Sequence, residues 1–109
     1  MISIIWIPRQ NRMAEVDNYL RTISQCKGVE GIIILSADGF PIRSSLDEEL
    51  TVLYSQTFSQ LARKAHAMVQ NLDPQDDVRL IRYRTKKHEI LLAVDDQFIM
   101  ITVQVPQIE

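Results

Sequence analysis

The chain has 109 residues, of which 46% are hydrophobic and 24% charged, and its 12 basic and 14 acidic side chains give a formal net charge of -2. That length and balance describe one domain able to bury a core without disulfides or structural metal, and they exclude the apolar-poor, highly charged profile of a disordered chain. The small acidic excess also excludes a dedicated nucleic-acid binder, which needs surplus Lys and Arg to displace phosphate counterions.

Ile2, Ile4, Ile5, Trp6 and Ile7 form an apolar patch ended by Pro8. The patch is too short for a membrane span and lacks the basic flank of a signal peptide, so we expect an added strand or a loose extension over residues 1–12, with partner docking as the functional alternative. From Met13, the residues Val16, Tyr19, Leu20 and Ile23 recur at helical spacing, and Lys27-Gly28 supplies a C-terminal stop. Cys26 is the single cysteine, which rules out an intrachain disulfide and points to a reducing, cytoplasmic setting. Residues 31–35 are a β-branched run that is apolar on both faces, the pattern of a central strand. Ala37-Asp38-Gly39 then turns the chain into Phe40-Pro41-Ile42, and Pro41, which lacks an N–H, places that second strand at a sheet edge.

Asp47 is the expected cap of a long helix that carries Glu48 and Glu49 in its first turn, where the helix dipole favours negative charge. Its apolar stripe runs through Leu50, Leu53, Tyr54, Phe58, Leu61, Ala65, Met68, Val69 and Leu72, and Asp73-Pro74 ends it. Val52, Ala62 and Met68 widen the apolar surface beyond one narrow stripe, which points to contact with a second helix. Three strands follow over residues 78–84, 90–94 and 98–105, joined by connections short enough for an antiparallel meander. The strand that opens the meander has one side without a neighbour in the chain, an edge open to a symmetry mate. The fold class is α/β (α+β), with a five-stranded sheet between helices.

Catalytic chemistry finds little support. Asp76-Asp77 and Asp95-Asp96 sit at turns without the alternating oxygen ligands of a calcium loop. His66 and His88 have no metal-site spacing, Ser44 and Ser45 lack an activating motif, and neither a nucleophile elbow nor a phosphate loop occurs. The densest charge is Arg79, Arg82, Arg84, Lys86 and Lys87. Strand alternation puts Leu80 with Arg82 and Arg84 on one face and Ile81 and Tyr83 with Arg79 on the other, so neither face is purely basic and solvated charge is the simpler reading.

Four strings carry a resemblance: Lys27-Gly28-Val29-Glu30-Gly31-Ile32-Ile33, Asp38-Gly39-Phe40-Pro41-Ile42-Arg43-Ser44, Leu72-Asp73-Pro74, and Arg82-Tyr83-Arg84-Thr85-Lys86-Lys87-His88-Glu89-Ile90. Together, over about residues 13–106, they resemble the roadblock-type light chains of dynein. The resemblance implies an N-terminal extension over residues 1–12 and a domain over 13–109, with a mostly antiparallel sheet of order 2-1-5-4-3 between the two helices. It implies a homodimer, or a mixed dimer with related light chains, in which Val78, Leu80 and Arg82 line a strand contact and Phe58, Leu61, Ala65 and Met68 a helix contact. It further implies a non-catalytic role without cofactor or metal, and with neither nucleic acid nor membrane as partner. The chain would bind the dynein intermediate chain in the cytoplasm on microtubules, or in the axoneme. Roadblock-like domains also occur in regulators and scaffolds of small GTPases, which is the alternative role.

Overall fold

The computed structural model describes residues 9–106, without the side chains of residues 9–13, 15 and 19. The apolar patch from Ile2 to Ile7 therefore lies outside the described residues. Seven elements follow one another: α1 (Arg9–Ser24), β1 (Val29–Ser36), β2 (Pro41–Ser44), α2 (Glu48–Leu72), β3 (Leu80–Arg84), β4 (Glu89–Val94) and β5 (Phe98–Gln104). The strands form one antiparallel sheet of order β2-β1-β5-β4-β3, the order the resemblance implies.

The sheet has two apolar faces, and each helix covers one. On the α2 face, Ile33 and Leu35 of β1, Ile90 and Leu92 of β4, and Ile99, Ile101 and Val103 of β5 close with Phe58 and Ala62. On the α1 face, Ile32 and Ile34 pack with Val16, and Leu20, Ile23, Phe98 and Met100 lie against them. The β1 run is buried from Gly31 to Leu35 because both helices need it. Fully burying each such aliphatic side chain contributes roughly 1.5–3 kcal/mol.

α2 is the element most directly written in the residues. Asp47 caps it by accepting a hydrogen bond from the Leu50 N–H at 2.8 Å, an arrangement that stabilises by about 1 kcal/mol. Asp73 closes it in an extended conformation just before Pro74, its N–H donating to the Val69 carbonyl. α1 differs from expectation at both ends. It starts at Arg9, inside the stretch read as an extension, and it stops at Ser24 rather than at Lys27-Gly28. In its last turn Thr22 and Ser24 bond back to carbonyls four residues earlier, and the Cys26 N–H bonds to the Ile23 carbonyl three residues back. The helix thus tightens and ends, and Gly28, at φ 89°, completes the reversal into β1.

Candidate interaction site

Among the described residues no three His, Cys, Asp or Glu side chains gather where a metal could sit, and no helix is long and apolar enough to cross a membrane. Two shallow hollows open on α2, one lined by Glu48, Glu49, Val52, Leu53 and Gln56 and one by Ala67, Met68, Gln70 and Asn71. Neither brings together a nucleophile and a base. What stands out instead is a continuous surface made by the β3 edge and one flank of α2.

β3 pairs with β4 on one side only, from Leu80 opposite Ala93 to Arg84 opposite Glu89. No strand stands on its other side among the described residues. The hydrogen bonds at its two ends, from the Val94 N–H to the Arg79 carbonyl and from the Thr85 N–H to the His88 carbonyl, fix the alternation of the ladder. Residues 79, 81, 83 and 85 direct their backbone groups to β4, so Leu80, Arg82 and Arg84 direct theirs outward. Leu80 is 58% exposed, and Tyr83 is also partly open.

α2 presents a matching strip. Ser59 and Arg63 lie beside the β1–β2 turn at Gly39. On the opposite flank Leu50, Leu53, Leu61, Met68 and Leu72 follow one another at helical spacing, and Met68 is 68% exposed. Phe58 joins this helix to β3 through an edge-to-face contact with Tyr83, at 6.1 Å between ring centres, and Tyr54 packs against Phe58 at 5.7 Å. Apolar helix flank and open strand edge are therefore contiguous.

Two polar contacts hold this region in place. Glu89, whose side chain is 1% exposed, accepts hydrogen bonds from Arg82 at 3.0 Å and from Gln104 at 2.6 Å, while its second oxygen is buried without a partner among the described residues. The Arg82 guanidinium first, and then the Gln104 amide, holds the Glu89 carboxyl below its usual pKa of 4.5, outweighing the opposing effect of desolvation. Asp77 meets the His66 ring at 2.7 Å and accepts the Val78 N–H at 2.8 Å. These two hydrogen bonds, the one from His66 larger, lower the Asp77 pKa from 3.8.

The residues proposed for strand and helix contacts divide on this surface. Leu61 and Ala65 are half-buried, and Met68, Leu80 and Arg82 are exposed. Phe58 is only 8% exposed and belongs to the core of its own chain. Val78 is half-buried and precedes β3, which begins two residues later than its alternation implies. Glu89 was not singled out from the sequence; the signal for it is an acid opening the otherwise apolar strand Glu89–Val94.

Comparison with known proteins gives a consistent result. The sequence profile described as Roadblock/LC7 domain matches residues 15–105. A Roadblock/LC7 domain from Streptomyces avermitilis has a similar structure, with a TM-score of 0.72 at 13% identity, covering 80% of this chain and 76% of that one. Myxococcus xanthus MglB aligns with a TM-score of 0.66 at 10% identity, covering 94% and 82% of the two chains. MglB in a tetrameric arrangement aligns at 0.70 and 10% identity, covering 84% and 71%.

Proposed function

The chain belongs to the Roadblock/LC7 domain family, and on that premise we propose that it is a non-catalytic scaffold that dimerises and serves a small GTPase. The observation that carries the dimer is the contiguity just described: three outward-facing residues on β3 beside an apolar flank of α2. An unpaired strand next to exposed aliphatic side chains is the kind of surface that a second copy covers by adding strand to strand and helix to helix. Regulators and scaffolds of small GTPases are one established setting for such domains. Two of the solved structures that this chain resembles come from the bacteria Streptomyces avermitilis and Myxococcus xanthus, and the shared fold by itself brings no motor role with it.

A second reading is supported by the four strings that resemble dynein light chains, above all the hairpin from Arg82 to Ile90. In that reading the dimer holds a segment of the dynein intermediate chain on microtubules.

One experiment separates the two. Immobilised protein is offered small GTPases from its own cells, loaded with GDP or a GTP analogue, and separately a set of dynein intermediate-chain segments. Nucleotide-dependent retention is the expected result. Retention of an intermediate-chain segment alone transfers the assignment to the motor, and binding of neither at high micromolar concentration overturns both.

A further inference from the structure

The two faces of the sheet are covered to different widths. On the α2 face the packed residues run from β1 across to β3, where Ile81 lies against the core and Tyr83 meets Phe58. On the α1 face the apolar cluster stops at β5, with Phe98 and Met100 its outermost members among the described residues. The sheet does not turn polar at that line. Residues directly opposite each other in an antiparallel ladder share a face, and the pairings set Ile34, Met100, Ala93 and Leu80 in one apolar row across four strands. The cluster under α1 takes in the first two. Of the others, Ala93 is half-buried, as is Leu91 in the next row, and Leu80 is exposed.

The chain enters α1 at the end of the sheet where this row lies. α1 has 16 residues and β1 has 8, so at about 1.5 Å and about 3.3 Å per residue the two are of nearly equal length, roughly 25 Å. Only Gln25, Cys26, Lys27 and Gly28 join them. The helix therefore runs back along β1, and Arg9 comes to the end where Ser36 pairs with Phe98. β3 begins at that same end, with Leu80 opposite Ala93. Directly before Arg9 the sequence reads Ile2, Ser3, Ile4, Ile5, Trp6, Ile7 and Pro8, an uncharged run in which Ser3 alone is polar. A proline disfavours the α region for the residue before it, so Ile7 is a poor continuation of α1. Extended, residues 2–7 reach roughly 20 Å, whereas β5 and β3 stand about 10 Å apart.

We propose that residues 2–7 fold across the α1 face of β4 and β3 of their own chain, with the isoleucines and Trp6 over Ala93, Leu91 and the side chain of Leu80. Starting point, reach and chemistry all fit this occupant. Tethered at Arg9, the run meets its own sheet at a much higher effective concentration than it meets any second molecule. The strap closes this face to outside partners and leaves the backbone edge of β3 and the flank of α2 free. It is therefore independent of the dimer reading, which concerns those two surfaces.

Trp6 is the single tryptophan, so its fluorescence in the full chain reads the contact directly. The expected result is emission shifted to the blue of the urea-unfolded chain, shielded from acrylamide and unchanged on dilution. Ala93→Asp, which sets a charge in the middle of the covered face, is expected to abolish both the shift and the shielding. Met68→Asp, on the exposed flank of α2, is expected to leave both as they are. Should circular dichroism show that Ala93→Asp unfolds, Leu80→Asp at its exposed position takes its place, with the same loss expected. Native emission equal to that of the unfolded chain overturns the proposal. So does a blue shift lost in Met68→Asp and kept in the variant of the β4–β3 face, which places the segment on α2. A shift that disappears on dilution also overturns it and gives the segment to a second copy.

Discussion

The two edges of the sheet handle the same hazard in opposite ways. β2 is four residues long, opens on Pro41, and pairs with β1 through a register shift between Ile34 and Leu35. It is tied to both helices, to α1 through Arg43 and Asp17 at 2.8 Å and to α2 through Ser44 and Thr51 at 2.6 Å. β3 has neither the proline nor the register shift: its pairing with β4 is regular, and Leu80 lies open on it. An edge blunted by proline, a bulge and side-chain ties is protected against pairing, whereas a regular one with exposed aliphatic groups invites it. The contrast within one sheet marks the candidate interaction surface better than any cluster of reactive groups.

The strongest way to break the contrast is to give β3 the proline that β2 has. Leu80→Pro removes an outward N–H and leaves the ladder to β4 intact. The expected outcome is a folded monomer, seen by sedimentation under conditions where the native chain is expected to pair. A second change weakens the closed side. A Cβ at Gly31 would come within 2.6 Å of Leu46 Cγ, just past β2, so Gly31→Ala is expected to cost about 1–3 kcal/mol in urea unfolding by overpacking. Dimerisation of the chains that remain folded should not change.

The smallest effect expected is on acid stability. The Glu89 carboxyl is more acidic in the folded chain than its usual 4.5, so the stability it contributes is present above that value. It is lost as pH falls through the lower folded pKa. Glu89→Gln should flatten that acid limb of the urea midpoint against pH, and an unchanged limb would show that the contact to Arg82 contributes nothing there. Asp77, lowered from 3.8 chiefly by the bond to His66, adds a limb of the same sign, which Asp77→Asn should remove.

Much of the fold is legible in the residues because local chemistry and burial agree. Asp47 and Asp73-Pro74 set the ends of α2, and Pro41 sets the β2 edge, as read from sequence alone. The start of β3 is not legible, because side-chain acceptors displace the ladder there. Asp76 takes the Asp77 N–H and Asp77 takes the Val78 N–H, each at 2.8 Å, so the alternation of Val78 and Arg79 continues without a strand. Phe58 lies in the apolar stripe as do Leu61 and Met68, but only the chain's own packing against Tyr54 and Tyr83 assigns it to the interior. The Glu89 cluster joins residues 7 and 15 positions apart, a meeting that the β3-β4-β5 register creates and periodicity does not encode.

The register shift and proline at β2 also bear on stoichiometry. A sheet doubled by joining two β3 edges ends on each side in β2, so growth along the sheet stops at two chains. Raising the concentration would then saturate pairing without seeding fibres, and the number of copies is set by the edge that does not take part.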